Sequence, residues 1–349
     1  MFPAVFAAAQ GVGATGRQFI ASSVAGYETA IRTGEFLGAE HYKIFHTTGT
    51  AGTLGAAAGV GHLLELNSQS MLNALGSAGT QAAGLWEFLR DEADSKVLHS
   101  AKAAANGLLS AYTARDGLTG ASRILEGKQG LGAGLSSKTD PARITDGLGT
   151  RWTTLECTYK PYACCRHAHP AADALLAVIR ENNLKADEIA HVTAFVHQRA
   201  MGVLGEVRNP QTVRQAKFCM GFVLALIATY GRAGINDFSE ATLRDLKLRA
   251  FERRVEMVVD PTIPGTILER PGRVEVSTTD GRLLTGRVIA AKGDPSNTLD
   301  RDELAAKAQQ LAAYTSAATP DEMDRVISAS WKLHELPNLD GLFLGHSPS

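Results

Sequence analysis

The spacing of apolar residues changes twice along this 349-residue chain, and these changes restrict the folds that it can adopt. In the first part, for example in residues 20–31, apolar side chains recur every three or four positions, which predicts helices. Strand alternation follows at 192–197, 255–260 and 273–288, and the last of these contains an Asp-Gly pair that predicts a hairpin turn. After Asp300, which is predicted to be a helix N-cap, the spacing is helical again. The sequence therefore predicts a mainly α protein with an α+β insertion.

The length of the chain predicts two domains rather than one compact core. We expect a large all-helical domain built from both chain ends and a smaller α+β domain between them. The predicted boundaries are 1–156 for the first helical part, 157–291 for the α+β domain and 292–349 for the helical return. Residues 49–66 are rich in glycine and alanine, which predicts a tightly packed central helix. A further helix is predicted at 118–126.

Charge and composition exclude several classes of function. The formal net charge is −1, so the sequence predicts no broad basic surface for a nucleic-acid backbone. The chain has no run of 18 uncharged apolar residues, so we expect no membrane span. The four cysteines are too unevenly placed for a disulfide framework and suit a reducing compartment. The sequence therefore predicts a cytoplasmic protein.

Ionisable groups are concentrated in the segment Cys157–Asp173, which contains Lys160, Arg166, His167, His169 and three cysteines. Such a concentration indicates a polar ligand or a metal, although a basic loop leading into a helix explains it as well. The cysteine spacing is not that of two paired C-x-x-C clusters, and adjacent cysteines chelate one ion awkwardly. An iron–sulfur centre needs three or four well-spaced thiolates. We therefore predict no metal, and keep a thiolate metal site as a minor alternative.

Two other segments contain groups that can do chemistry. His46 precedes a Thr/Gly-rich helix start, where backbone N–H groups favour an anion. Lys96, His99 and Lys102 are three residues apart, so a helix presents them on one face. Each group alone has an ordinary explanation, as a hydrogen-bonded histidine or a solvated lysine. Together, fixed cations and histidines indicate proton chemistry on a small di- or tricarboxylic acid.

Several segments, in this order, resemble the MmgE/PrpD family of 2-methylcitrate dehydratase-like proteins, which includes cis-aconitate decarboxylase and iminodisuccinate epimerase. They are FPAVFAAAQ, VAGYETAIRTG, FHTTGTAG, SKVLH, YKPYACCRHAHPAADA, QAKFCMGF and GDPSNTLDRDEL. The resemblance implies a large helical domain formed by both chain ends and an α+β lid inserted between them, usually in a homodimer. It also implies a lyase that works on a small carboxylic acid without a cofactor or a metal.

The resemblance implies roles for three residues. His46 matches an active-site histidine that acts in proton transfer. Lys96 and Lys160 match two active-site lysines that face substrate carboxylates. Three further residues are predicted to bind substrate: His99, Lys102 and Arg166.

The chain departs from the family pattern at two places. Phe222 stands where the family often has a tyrosine, so a phenolic hydroxyl is absent. Family members also carry an earlier segment with an HPG-like motif and a second active-site histidine, and we expect this chain to begin just after it. The leading hypothesis is a lyase of the 2-methylcitrate dehydratase type. The alternatives are a decarboxylase or an epimerase of the same family, or a truncated, non-catalytic member.

Overall fold

The computed structural model describes residues 1–89, 93–264, 270–340 and 342. Contacts between Cα atoms divide the chain into two compact units, one of Met1–Leu155 with Arg325–Ser349 and one of Glu156–Asp324. By this division, residues 292–324 group with the second unit rather than with the helical return. The domain boundaries drawn from the sequence stay a prediction.

The first unit consists of helices and turns. Its α-helices are α1 (Phe2–Gly11), α2 (Gly16–Tyr42), α3 (Thr47–Leu63), α4 (Ser68–Gly79), α5 (Ser95–Arg115), α6 (Leu131–Leu135) and α7 (Ala142–Thr145). Short 3₁₀ helices span Trp86–Leu89 and Leu333–Glu335. The cap of α2 is reciprocal: the Thr15 hydroxyl accepts the Gln18 N–H at 3.3 Å, and the Gln18 side chain accepts the Thr15 N–H at 2.9 Å. Gly38, at φ 70°, then bends α2 rather than ending it.

Helix α3 is the buried centre of the first unit, as the glycine- and alanine-rich stretch predicts. A Cβ added to Gly55 would lie 2.5 Å from Cβ of Ala30 on α2, and one added to Gly107 of α5 would lie 2.4 Å from Cβ of Ala56. Only glycine permits helices to approach this closely. The helix predicted at 118–126 is wrong, since residues 118–121 are irregular and residues 122–126 form turns. Its Gly120 packs against the backbone of α4, which a helical backbone with side chains would prevent.

The second unit combines helices with a four-stranded sheet. Its α-helices are α8 (His169–Asn182), α9 (Gln198–Leu204), α10 (Val213–Ala216), α11 (Met220–Tyr230), α12 (Glu240–Arg244), α13 (Leu246–Glu252) and α14 (Arg301–Thr315); α15 (Pro320–Trp331) spans the division between the units. The strands are β1 (Ile189–Val196), β2 (Val255–Val259), β3 (Gly272–Thr278) and β4 (Leu283–Val288). The unit also contains the 3₁₀ helices Arg166–Ala168, Ala186–Glu188, Ile235–Asp237 and Pro295–Asn297.

The sheet has the order β2-β1-β3-β4, with β1 and β2 parallel and the other pairs antiparallel. The predicted hairpin is confirmed: Arg273 faces Arg287 across β3 and β4, and Gly281 turns the chain at φ 89°. Helix α8 packs on these two strands, where a Cβ on Gly286 would lie 2.4 Å from the Ala174 carbonyl oxygen. Phe222 of α11 is completely buried in the core of this unit.

The described residues therefore form a mainly α structure with a small mixed sheet, as predicted, while the role of the second unit as a lid stays a prediction. Late residues also return to the first unit, where the Gly16 N–H donates to the Leu336 carbonyl at 2.9 Å. Among the helices that the structure describes, none is both long and apolar enough to cross a membrane.

Candidate active site

His46 stands at the start of α3, where its backbone is extended rather than helical. Its N–H donates to the Gly84 carbonyl at 3.0 Å, and the Trp86 N–H donates to the Ile44 carbonyl at 3.0 Å. These two bonds hold the turn before α3 against the segment that leads into the 3₁₀ helix. As a result the His46 side chain is only 8% exposed.

The imidazole of His46 meets a second imidazole. Its Nδ1 lies 3.0 Å from Nδ1 of His99, which projects from α5. The rings of Trp86 and Phe88 complete an aromatic wall, with centroids 4.5 and 6.2 Å from that of His46. Gly84 is required beside this pair, because a Cβ there would lie 3.2 Å from Nδ1 of His99 and the residue has φ +148°.

The electrostatic setting keeps His46 neutral. Burial, the neighbouring His99 and the neighbouring Lys96 together lower its pKa from 6.5 to about 4; burial has the largest effect, and the two neighbours add to it because both disfavour a positive charge on the ring. At neutral pH the imidazole therefore has one N–H and one free lone pair. Such a group can accept a proton without first losing one.

The structure brings three of the predicted site residues together in the first unit: His46, Lys96 and His99. Lys96 is exposed in the first turn of α5, and its charge acts on His46. Lys102 is exposed on the same helix, and in the described part of the chain no hydrogen bond joins it to His46 or His99. Its assignment to substrate binding stays a prediction.

Lys160 and Arg166 belong to the second unit. Lys160 is exposed, and the adjacent Tyr159 N–H donates to the Gly293 carbonyl at 2.8 Å. Gly293 has φ +90°, and a Cβ there would lie 2.2 Å from the Tyr159 carbonyl oxygen, so a glycine is needed for this contact. The turn around Gly293 thus fixes the backbone of Tyr159, which directly precedes Lys160.

The same turn holds Arg166 through Asp294, a carboxylate with no exposed surface. Arg166 Nη2 donates to Asp294 at 2.6 Å, and Arg270 donates to it twice at 2.9 Å, from Nη1 and from its backbone N–H. Arg166 Nη1 also donates to the Lys292 carbonyl at 2.9 Å. These bonds give Arg166 a structural role in the segment around Lys160, and its predicted contact with substrate stays a prediction.

His169 and Cys164 of the Cys157–Asp173 segment are buried. Arg166 Nη1 donates to Nδ1 of His169 at 2.8 Å, and burial together with the charge of Arg166 keeps the His169 pKa well below its usual value. Burial likewise raises the pKa of the Cys164 thiol, so this sulfur is not a thiolate at neutral pH. Across the part of the chain that the structure describes, no three His, Cys, Asp or Glu side chains gather as a metal site would require.

Sequence reasoning missed residues that act only through distant contacts. Trp86 and Phe88 wall the histidine pair, and Asp294 and Arg270 form the ion cluster with Arg166. The GDPSN stretch contained a signal for this cluster, since a glycine beside an aspartate marks a special turn. No local pattern points to the aromatic wall.

A neutral buried histidine, paired with a second histidine beside a lysine, forms a site suited to proton transfer. Comparison with known proteins identifies the family of this chain. The model of the MmgE/PrpD N-terminal domain matches residues 1–144, and that of the MmgE/PrpD C-terminal domain matches residues 162–333. This chain therefore belongs to the MmgE/PrpD family.

Three curated relatives show how far the similarity extends. A cis-aconitate decarboxylase-like protein of Aspergillus oryzae is 27% identical over 344 residues, covering 90% of this chain and 69% of the relative. A cis-aconitate decarboxylase of Aspergillus terreus is 31% identical over 261 residues, covering 69% of this chain and 53% of the relative. The human cis-aconitate decarboxylase is 23% identical over 313 residues, covering 88% of this chain and 64% of the relative. The alignments thus span between 53% and 69% of these relatives.

Proposed function

We propose that this protein is a lyase that acts on a small di- or tricarboxylic acid by proton transfer through His46. The observation that carries the proposal is His46 itself: it is buried, it contacts His99, and the nearby charge of Lys96 helps to keep it neutral. Family membership supports it, because the resemblance that identifies the family also assigns proton transfer to this histidine.

The chemistry needs a proton carrier and fixed positive charge. When a carbon beside a carboxylate loses a proton or carbon dioxide, negative charge spreads onto the remaining carboxylate oxygens. An ammonium group stabilises that charge, and Lys96 and Lys160 are the proposed donors. His46, neutral at pH 7, then takes the proton away or delivers its own N–H.

Decarboxylation is the favoured reaction because the three relatives described above are named cis-aconitate decarboxylase or decarboxylase-like. Dehydration of the 2-methylcitrate type is the second candidate, and it uses the same proton carrier and the same cations. A homodimer in the cytoplasm is part of the proposal. The non-catalytic alternative is favoured by Phe222, a completely buried side chain that has no hydroxyl to offer a substrate.

The test is turnover of a panel of acids: cis-aconitate, 2-methylcitrate, citrate and iminodisuccinate. We expect one of them to be converted, and H46N to lower kcat/KM by about 100-fold or more. H191N is the matched control, because His191 lies on β1 with a 44% exposed side chain and is expected to leave turnover unchanged. Absence of turnover with all four acids would favour the non-catalytic alternative.

A further inference from the structure

The contact between His46 and His99 joins the same atom of each ring, and this restricts where the protons lie. With the two Nδ1 atoms 3.0 Å apart, one must carry a hydrogen and the other must offer its lone pair. A neutral imidazole has one N–H in total. The ring that donates from Nδ1 therefore has a bare Nε2, and the ring that accepts at Nδ1 has an Nε2–H.

The neutral pair consequently presents one proton acceptor and one proton donor at its two outer ends. Moving the shared hydrogen from one Nδ1 to the other, with compensating changes at the outer nitrogens, exchanges these roles. The two ends also differ in access to water, since His46 is 8% exposed whereas His99 is half-buried. The pair thus connects a buried nitrogen with one nearer to solvent.

The surroundings of His46 disfavour a positive charge on its ring. Among the described residues, the groups that bear on the charge of His46 are His99 and Lys96 from α5, and both disfavour its imidazolium. The rings of Trp86 and Phe88, from the 3₁₀ helix Trp86–Leu89, pack against the His46 ring. Because no described carboxylate contributes to the His46 pKa, the His46 ring holds a second proton only transiently near neutral pH.

We propose that His46 and His99 form a two-histidine proton relay in which His99 is the positioning residue. A proton taken from the substrate by bare Nε2 of His46 makes this ring an imidazolium. His46 then gives its Nδ1 hydrogen to Nδ1 of His99, and His99 releases its own Nε2 hydrogen to water. One proton has moved from substrate to solvent, and both rings are neutral again. In a decarboxylation the same steps run in reverse: Nε2 of His99 takes a proton from water, the Nδ1 hydrogen of His99 passes to Nδ1 of His46, and Nε2–H of His46 delivers its proton to the carbanion left by carbon dioxide. The catalytic consequence rests on the proposed function, whereas the shared hydrogen does not.

The shared hydrogen is tested by ¹⁵N NMR of the histidine side chains in the whole chain at pH 7. We expect one ring of the pair to carry its hydrogen on Nδ1, whereas an unconstrained histidine favours Nε2. In H99N the amide can still bond Nδ1 of His46 but cannot relay. The His46 pKa should rise above its wild-type value of about 4 because the neighbouring imidazole is removed, while burial and Lys96 still hold it below 6.5. H191N should leave the His46 signals unchanged.

The relay is tested by kinetics with whichever acid of the panel is converted. We expect H99N to lower kcat about tenfold or more with little change in KM, and added imidazole to restore part of the kcat of H99A. A pair of rings that both carry hydrogen on Nε2, or a kcat of H99N equal to that of the wild type, overturns the relay. If none of the acids is converted, the proposed function fails, and the NMR result alone decides on the shared hydrogen.

Discussion

Replacing Asp294 with alanine should destabilise the second unit more than any change on its surface. Asp294 is completely buried and accepts a hydrogen bond from each of two guanidinium groups, those of Arg166 and Arg270. The arginine side chains are themselves only 10% and 14% exposed, so water cannot replace the lost carboxylate. The variant would leave two buried positive charges with no shared counter-charge.

The expected cost follows from the burial of all three groups. Breaking a buried ion pair by removing one partner costs about 3–5 kcal/mol, since the remaining charge keeps its desolvation penalty. With an m value of about 3 kcal/mol/M, the urea midpoint should fall by about 1 M or more. The matched control is E240A, because Glu240 pairs with Arg244 while their side chains are 63% and 80% exposed. This exposed pair contributes about 0–1 kcal/mol.

Two optical signals separate the units in this experiment. All three tryptophans, Trp86, Trp152 and Trp331, belong to the first unit, so their fluorescence reports on that unit. Far-UV circular dichroism reports on the helices and strands of both units. We expect D294A to shift the circular dichroism transition to lower urea. If D294A and E240A have the same midpoint within error, the argument from the buried ion cluster is refuted.

Further predictions concern protonation, thiol access and helix packing. The free energy of unfolding should fall as the pH drops from about 6.5 toward 4. Folding lowers the pKa of His46 and His167 from 6.5 to about 4, so the unfolded chain binds more protons than the folded chain in this range. Urea titrations at pH 7 and pH 5 measure the difference. Cys164 and Cys219 are 4% and 3% exposed, so iodoacetamide should modify them only after unfolding, as mass spectrometry can show. Gly107→Ala should lower the free energy of unfolding by about 1–3 kcal/mol or more, because the new Cβ would lie 2.7 Å from backbone atoms of α3. Thermal unfolding of the variant and the wild type measures this difference.

Local patterns predicted the strands and several of the helices. The cap at Asp300 marks the start of α14, and the alternation at 273–288 gives β3, β4 and their turn. These features depend on neighbouring residues, which a sequence displays directly. The wrong helix at 118–126 has a different cause, since Gly120 packs against a carbonyl of α4 that lies 47 positions earlier at Asn73. Tertiary packing overrides the local preference there.

The candidate site was predictable in part for the same reason. Helical spacing placed Lys96 and His99 on one face of α5, and the family resemblance pointed to His46. The hydrogen bond between the histidines joins residues 53 positions apart and depends on the extended backbone before α3. The ion pair of Arg166 with Asp294 spans 128 positions. Pairings at such separations have no local signature, so only the structure reveals them.

The central claim is that His46 carries a proton for a reaction on a small carboxylic acid. Its most direct test is conversion of the panel acids by the chain in D₂O, followed by NMR of the products for the wild type, H46N and H191N. For a decarboxylation, we predict one solvent deuterium at the carbon that loses carbon dioxide, formed about 100-fold or more slowly by H46N. Conversion at equal rates by H46N and the wild type would contradict the claim.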